Sequence, residues 1–443
     1  MIRTQVIETK DLAGKEVNLF GWVTTRRDHG KLIFIDLRDR SGVVQAVFSP
    51  SDSELHKTAD KLRPEWVVRL KGKVKARPEK MFNPDIPTGK VEIEPLELEV
   101  LSEAHQPIPI PIEKTENEPD LDIRMDWRWL DLRKPERRLI FKTWTVMEHA
   151  FRDFLIKNNF LEIHSPKLMS SPSESGGELF EVKYFKRKAY LAQSPQFYKQ
   201  MAMAAGFERV FEVGPVFRAN PSFTSRHDTE FTGYDLEMSF IDSHQDVMNM
   251  EQYLVVAMLS AVKEKYGDDI EKVFNRKMVI PKIPFPQATI AEAKDLLKDF
   301  KIAETKEGDL NPEEERKLAE VIKQKYNHEF VFITNYPISI RPFYHMRFND
   351  DPSLTKSFDL VFNGLEITTG AQREHRYEIL KKQAKEKGLT EKSIEYYLDF
   401  FKYGCPPHGG FGFGPSRFLM KILGVSNVRE VTYLYRGVNR LTP

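Results

Sequence analysis

The sequence contains almost no cysteine and no long apolar segment. Cys405 is the one cysteine in 443 residues, so the chain can form no internal disulfide, and we predict a reducing compartment, the cytoplasm. No apolar run approaches the roughly 20 residues that span a bilayer. The first ten residues also lack the apolar block of a signal peptide. Together these absences argue against the membrane and secreted classes of protein.

An excess of one sign of charge is also absent. The 67 Lys and Arg residues are balanced by 66 Asp and Glu residues, so the net charge is +1. This balance does not indicate a polyanionic partner, although a net charge averages over all faces of a protein. Hydrophobic residues make up 40% of the chain, which excludes general disorder. At roughly 150 residues per domain, the length predicts two or three domains.

Residues 1–105 are predicted to form a small β-barrel. Five β-rich runs are separated by turn residues, and a helix-compatible stretch, Ser51–Leu62, lies between the third and fourth runs. This order is typical of an OB-fold barrel. The five runs are Val17–Thr24, Lys31–Arg38, Val43–Phe48, Trp66–Lys75 and Lys90–Val100. Residues 106–120 follow as a proline-rich, extended linker.

Residues 121–443 are predicted to form a second domain of the α+β class, with an antiparallel sheet flanked by helices. The apolar residues of Leu139–Asn158 have the helical period. Ser194 as N-cap and Pro195 as the first helical residue predict the start of another helix. Gly206 is typical of the residue that ends such a helix.

The middle of this domain contains a predicted hairpin and a predicted insertion. Two strand-like runs, 208–219 and 230–241, enclose a polar loop and indicate an antiparallel hairpin. A helix is predicted over 247–265 and another over Pro312–Tyr326. Because the second of these lies in a highly charged region, we predict a helical insertion on the surface around residues 283–330.

Three segments of the second domain stand out. They are the Leu139–Asn158 helix followed by Phe160–Pro166, the hairpin loop with Arg218 and Arg226, and the glycine-rich segment Gly409–Arg417. Each alone has an ordinary interpretation, namely a core helix, solvated arginines, or glycines without the β-α-β unit of a dinucleotide site. In this order and spacing, however, they resemble the three signature motifs of the class II aminoacyl-tRNA synthetases.

The resemblance is most specific to the aspartyl-tRNA synthetases. Gln193–Gln200, Gly370–Arg376 and, in the barrel, Lys31–Arg40 carry it, and it covers nearly the whole chain. It implies an OB-fold anticodon-binding domain in front of a class II catalytic domain of the compact archaeal and eukaryotic type. It also implies a homodimer, with the first motif's helix and Pro166 at the subunit interface.

A two-step reaction follows from this resemblance. Aspartate attacks the α-phosphate of ATP, with Mg²⁺ bound between the phosphates, and aspartyl-adenylate forms as pyrophosphate leaves. The 3′ end of tRNA(Asp) then accepts the aspartyl group, and tRNA(Asn) remains open as a second acceptor. No protein nucleophile is needed, so the chemistry falls to arginines that bind phosphate oxygens and stabilise developing charge.

The resemblance also implies a role for individual residues. Arg218 and Arg417 are the implied catalytic residues. The residues implied to bind ATP are Arg218, Arg226, His227, Phe231, Glu366, Gly412, Gly414 and Arg417. Those implied to bind aspartate are Glu174, Ser194, Gln196, Lys199, Asp235, Thr369 and Arg373. Asp359 and Glu366 are implied to hold Mg²⁺, and Arg27, Phe34, Gln45 and Glu92 to contact the anticodon.

Two pairs of these residues suit their roles on chemical grounds. Asp359 and Glu366 lie on strand-like runs joined by the short turn at 363–364, and facing carboxylates repel unless a cation lies between them. Lys199 and Arg373 are two cations predicted to face one pocket, which favours a substrate with a second carboxylate. An amide substrate would leave buried positive charge underpaired. Solvated strand carboxylates remain the alternative for the first pair.

Two other functions remain open. Asn220 and Ser416 stand where the family's second and third motifs commonly have Glu, which leaves room for an asparaginyl-tRNA synthetase or an amino-acid-amidating paralogue. The second alternative is a tRNA-binding protein without catalysis, against which Arg218 and Arg417 argue. Considered alone, Phe34 would be interpreted as a residue of the barrel core. The resemblance instead implies that it contacts the anticodon.

Overall fold

The chain forms two compact units, residues 1–109 and residues 110–443. The computed structural model describes residues 2–113, 115–170, 179–221, 224–303 and 305–443. Each unit has a hydrophobic core of its own. Among the helices of these described ranges, none is both long and apolar enough to cross a membrane.

The first unit is a barrel, as the sequence predicts. Its elements are β1 (Glu16–His29), β2 (Leu32–Arg38), β3 (Val43–Phe48), α1 (Ser53–Lys61), β4 (Val67–Ala76) and β5 (Val91–Ser102). The sheet closes in the order β1-β2-β3-β5-β4, and β3 and β5 pair in parallel. Alternate residues point inward, as the burial of Ile33, Ile35 and Leu37 on β2 shows. The OB-fold prediction is therefore confirmed.

Strand β1 continues to His29, well beyond its predicted end at Thr24. Its last residues are polar and lack the apolar alternation that predicts a strand. They nevertheless pair with β2, with Arg27 opposite Phe34 and His29 opposite Leu32. Backbone pairing with a neighbouring strand, which sequence periodicity cannot detect, therefore determines where this strand ends.

The second unit has the predicted α+β architecture. Its elements are α2 (Leu121–Asp126), α3 (Arg128–Asp131), α4 (Pro135–Lys157), β6 (Leu161–Glu162), β7 (Leu168–Met169), β8 (Glu181–Tyr184), β9 (Arg187–Leu191), α5 (Gln196–Ala204), β10 (Arg209–Phe217), β11 (Glu230–Ser239), α6 (His244–Phe274), β12 (Gln287–Thr289), α7 (Ile290–Leu297), α8 (Pro312–Tyr326), β13 (Phe330–Thr334), β14 (Ser357–Phe362), β15 (Leu365–Gln372), α9 (Tyr377–Glu386), α10 (Glu395–Lys402), β16 (His408–Phe413), α11 (Pro415–Leu423) and α12 (Val428–Val431).

An eight-stranded sheet lies at the centre of this unit. Its strand order is β12-β13-β14-β15-β16-β11-β10-β6. The inner strands are antiparallel, as predicted, whereas the outermost pairs β12–β13 and β6–β10 are parallel, so the sheet is mixed. Helices α4 and α6 pack against each other and against the sheet. Phe151 of α4, for example, lies 4.5 Å from Tyr234 of β11 between ring centroids.

Some local predictions are corrected by the structure. Helix α5 begins at Gln196, with Pro195 as its N-cap, while the Ser194 hydroxyl accepts a hydrogen bond from the Gln196 amide at 3.4 Å. Helix α6 begins earlier than predicted because Ser243 and Asp246 form a capping box.

The charged region that was predicted to be a surface insertion is partly buried and contributes a strand to the central sheet. Residues 283–330 include β12, which joins the central sheet, as well as helices α7 and α8. Glu314 and Glu315 of α8 are buried. A surface position was predicted from the charge of this segment, but these two carboxylates have partners inside the fold.

Candidate active site

A cavity of about 380 Å³ lies over strands β10, β11, β15 and β16 of the second unit. Every residue predicted to bind ATP lines it, namely Arg218, Arg226, His227, Phe231, Glu366, Gly412, Gly414 and Arg417. The lining also includes five residues predicted to bind aspartate, which are Ser194, Gln196, Asp235, Thr369 and Arg373. Lys199 lies behind this lining, and Glu174 lies outside the described residues.

The glycine-rich strand β16 forms part of the cavity floor between β11 and β15. Gly412 lies opposite Asp235 on one side and Thr369 on the other. A side chain at Gly410 would collide with the backbone oxygen of Leu236, so this strand can lie close to its neighbours only with glycine there. Helix α11 then begins at Pro415 in its first turn.

Three arginines approach the cavity from the hairpin and from α11. Arg226 lies in the loop between β10 and β11, and its Nη1 donates to Glu315 Oε2 at 2.7 Å. Arg417 donates from Nη1 to the backbone oxygen of Glu366 at 3.1 Å and from Nε to the backbone oxygen of Arg226 at 3.4 Å. With the exposed Arg218, this arrangement provides a cationic surface suited to phosphates.

The aromatic rings beside these arginines are also in place. Phe231 is half-buried on β11, and the guanidinium carbon of Arg218 lies 5.6 Å from its ring centroid. His227 is hydrogen-bonded to the Thr224 hydroxyl. Burial, together with the charges of Arg417 and Arg226, lowers the pKa of His227 to about 4, so its imidazole is neutral at pH 7.

Of the two carboxylates predicted to hold a metal ion, Glu366 lines the cavity, whereas Asp359 is not part of the lining and lies on the neighbouring strand β14. Asp359 is buried and lies opposite Thr369 in the β14–β15 register. Its Oδ2 accepts a hydrogen bond from Arg341 Nη2 at 2.6 Å. Burial raises the pKa of Asp359, and Arg341 acts in the opposite direction. Glu366 is half-exposed and accepts a hydrogen bond at Oε1 from the Thr369 hydroxyl at 3.2 Å.

This donor set suits a magnesium ion that is shared with phosphates. The Oδ1 atom of Asp359 is buried and accepts no hydrogen bond from the described residues. Within those same ranges, no group of three or more His, Cys, Asp or Glu side chains could hold a metal ion. Mg²⁺ is commonly held by one or two carboxylates plus phosphate oxygens and water. Asp359 and Glu366 fit that pattern.

At the end of the cavity predicted to bind aspartate, Lys199 lies beneath the floor and is only 2% exposed. Its Nζ donates to Asp235 Oδ1 at 2.9 Å and to the backbone oxygen of Phe411 at 3.0 Å, and it lies 3.4 Å from Glu237 Oε2. Lys199 was predicted to face the pocket, but the structure places it beneath the cavity floor. Lys199 supports Asp235, which does line the cavity.

Arg373 does reach the cavity, and it is held firmly. Its Nε donates to Glu237 Oε1 at 2.9 Å, its Nη2 to the backbone oxygen of Gly410 at 2.9 Å, and its Nη1 lies 3.0 Å from His345 Nε2. Burial and the charge of Arg373 hold the pKa of His345 well below its usual value, so the ring is neutral and its Nε2 can accept. Although burial opposes ionisation, Arg373 and Lys199 lower the pKa of Glu237.

No role was predicted for Glu315 or Arg341, yet both contribute to this site. Glu315 pairs with Arg226, and Arg341 pairs with Asp359. One signal could have identified Glu315, because it lies three and seven residues before the buried Leu318 and Ile322 and so shares the inner face of α8. An acidic residue on such a face needs a partner.

In the barrel, all four predicted anticodon residues lie on the outer face. Phe34 on β2 is half-buried and lies opposite Arg27, so it is not a core residue. Arg27 pairs with Asp36 at 2.8 Å, and Gln45 Nε2 lies 3.5 Å from the same carboxylate. Glu92 on β5 lies 3.5 Å from Arg77 Nε. These side chains therefore share a surface on which bases could stack and pair.

Comparison with known proteins agrees with this geometry. Residues 120–436 match the family model of class II tRNA synthetases for D, K and N, and residues 17–101 match that of the OB-fold nucleic-acid-binding domain. The chain is a class II aminoacyl-tRNA synthetase. Members of this family activate an amino acid with ATP and a divalent metal ion and bind tRNA, so the predicted enzyme class is confirmed.

Similar synthetases extend over the whole chain. The aspartate–tRNA(Asp/Asn) ligase of Methanopyrus kandleri is 44% identical over 438 residues, 98% of either chain. The aspartate–tRNA(Asp) ligase of Pyrococcus abyssi is 41% identical over 449 residues and is covered completely. Among solved structures, the asparaginyl-tRNA synthetase of Pyrococcus horikoshii with asparaginyl-adenylate has a TM-score of 0.89 at 33% identity, with both chains covered completely.

Proposed function

We propose that this synthetase is an aspartate–tRNA ligase, which forms aspartyl-adenylate and then charges tRNA. The observation that carries this proposal is the guanidinium of Arg373, which lines the cavity and is fixed by Glu237 and Gly410. A fixed guanidinium suits a side-chain carboxylate and leaves an amide unfavourably placed. The two aspartate–tRNA ligases that match over the whole chain support the same substrate.

In the activation step, the protein aligns two anions and stabilises charge. We assign Arg218 to the α-phosphate and the aspartate carboxylate, Arg226 and His227 to the outer phosphates, and Arg417 with Phe231 to the two faces of adenine. Alignment of reactants can supply roughly 7–11 kcal/mol, and one placed donor about 3–4 kcal/mol. Gly412 and Gly414 allow the nucleotide to approach the backbone.

The remaining assignments concern the metal and the amino acid. Asp359 and Glu366 would hold Mg²⁺, which neutralises phosphate charge when bound. We assign Asp235 and Glu174 to the α-amino group, and Ser194, Gln196, Thr369 and Arg373 to the rest of aspartate, with Lys199 supporting Asp235. Neutral His227 adds a hydrogen bond without adding charge.

For the tRNA, we propose that the barrel binds the anticodon of tRNA(Asp). Phe34 would stack on one base, Gln45 would pair with it, and Arg27 and Glu92 would contact the neighbouring bases. Relatives named for tRNA(Asp/Asn) and for tRNA(Asp) alone both match the chain. Charging of purified tRNA(Asp) and tRNA(Asn) in parallel decides whether the second is also a substrate.

We further propose a homodimer in the cytoplasm. Helix α4 and Pro166 of the first motif would lie at the dimer interface, and light scattering of the purified protein measures the mass. The single cysteine, Cys405, agrees with a reducing compartment.

Pyrophosphate exchange with each of the twenty amino acids tests the proposed activity. We expect exchange that depends on aspartate and is strongly reduced by Arg373→Ala. Preference for asparagine would instead favour an asparaginyl-tRNA synthetase, the function named for the similar Pyrococcus horikoshii structure. Tight tRNA binding with no exchange for any amino acid would indicate a non-catalytic tRNA-binding protein.

A further inference from the structure

One buried carboxylate enters the active site from helix α8, outside the three signature motifs. Glu315 is 4% exposed, and its Oε2 accepts a hydrogen bond from Arg226 Nη1 at 2.7 Å. The same oxygen lies 3.4 Å from the backbone nitrogen of Glu366. Glu315 thus joins the loop that carries Arg226 to the start of the strand that carries Glu366.

The neighbouring glutamate on this helix has a different environment. Glu314 is equally buried, but it pairs with Lys294 at 2.6 Å and forms a capping box with Asn311. Its contacts therefore stabilise the start of α8 and do not reach the cavity. Glu314 therefore has a structural role, whereas the adjacent Glu315 contacts residues of the active site. Glu314 is for this reason a matched control for Glu315.

The pairing leaves much of Arg226 available to a ligand. A guanidinium has five N–H donors in a plane, and a carboxylate that holds one edge leaves the others free to bind phosphate oxygens. The Arg226 side chain is 20% exposed and lines the cavity. Burial and the charge of Arg226 both lower the pKa of Arg417, so the two guanidinium groups repel each other. Without the Glu315 carboxylate, this repulsion would displace the Arg226 side chain.

We propose that Glu315 is a positioning residue that holds Arg226 ready to meet the outer phosphates of ATP. This inference rests on the proposed role of Arg226 in ATP binding. An arginine side chain that is already held in place loses less conformational entropy when the nucleotide binds. Glu315 therefore increases the affinity for ATP. Among the described residues, the hydrogen bonds of Glu315 are to Arg226 and to the backbone of Glu366, and none is to a residue assigned to aspartate, so the effect is specific to the nucleotide.

The test compares Glu315→Gln with Glu314→Gln in aspartate-dependent pyrophosphate exchange. For Glu315→Gln we expect the KM for ATP to rise about tenfold, as for the loss of one charge-assisted hydrogen bond, while the KM for aspartate stays unchanged. Glu314→Gln should lower the melting temperature without changing the KM for ATP. An unchanged or lowered KM for ATP in Glu315→Gln would overturn the proposal.

A double-mutant cycle with Arg226→Ala shows whether Glu315 acts through Arg226. If it does, Arg226→Ala combined with Glu315→Gln should be no worse than Arg226→Ala alone. Additive losses, or a raised requirement for Mg²⁺ with an unchanged KM for ATP, would contradict the positioning role. Absence of exchange in the wild-type protein would refute the proposed function instead, which keeps the two failures distinct.

Discussion

Glu251 on helix α6 makes the stability of this protein depend on pH in an unusual direction. Its side chain is fully buried, and the Thr368 hydroxyl beside it opposes the effect of burial only in part. Burial raises the pKa of Glu251 from 4.5 to about 8. Between these values the folded protein keeps a proton that the unfolded chain has lost, so stability falls as the pH rises from about 4.5 to 8.

The magnitude follows from the two pKa values. The gap between 4.5 and about 8 corresponds to about 5 kcal/mol over the whole range, at about 1.36 kcal/mol per pH unit. Glu251→Gln has no carboxyl group to ionise, so it does not show this loss. We expect the melting temperature of Glu251→Gln, relative to wild type, to rise steadily as the pH is raised from 5 to 8.

Thermal unfolding across that pH range, followed by calorimetry, is the assay. The matched control is Glu264→Gln, because Glu264 is an exposed residue of the same helix. The difference of Glu251→Gln from wild type is compared with that of this control at each pH. A constant difference between Glu251→Gln and wild type would mean that Glu251 is ionised in the folded protein, and the reasoning from burial would then fail.

Three further predictions concern the proposed sites. Arg373→Lys should raise the KM for aspartate about tenfold in pyrophosphate exchange with little change for ATP; equal changes in both would count against its assignment. Lys199→Ala should weaken aspartate binding and lower the free energy of unfolding by on the order of 3–5 kcal/mol, because Asp235 and Glu237 lose their shared cation; a wild-type melting curve would refute this. Phe34→Ala should slow tRNA charging about tenfold and leave exchange intact, whereas loss of both activities would indicate misfolding.

The sequence was sufficient where local patterns and motifs agree. Strand β3 and helix α8 have the predicted bounds because apolar periodicity and turn or cap residues specify them locally. The residues predicted to bind ATP converge on one cavity, since all of them except Glu366 on β15 belong to motifs whose spacing fixes their place in the hairpin or around the start of α11.

Features that depend on distant partners were harder to predict. The burial of Glu315 depends on Arg226, and that of Arg341 on Asp359, and neither pair is near in sequence. The position of Lys199 was mispredicted for the same reason. Its charge suggested contact with the ligand, but two carboxylates and a backbone oxygen hold it below the cavity floor. Charge alone cannot distinguish a ligand contact from an internal one.

The short strands β12 and β13 have a consequence for how the synthetase avoids misassembly. Strand β14 carries Asp359 and is buried along its whole length, and β13 occupies its outer hydrogen-bonding edge. A shortened protein without residues 283–334 would present β14 as a bare apolar edge, which is a template for aggregation. The segment that was predicted to be a surface insertion therefore also protects the protein from intermolecular strand pairing.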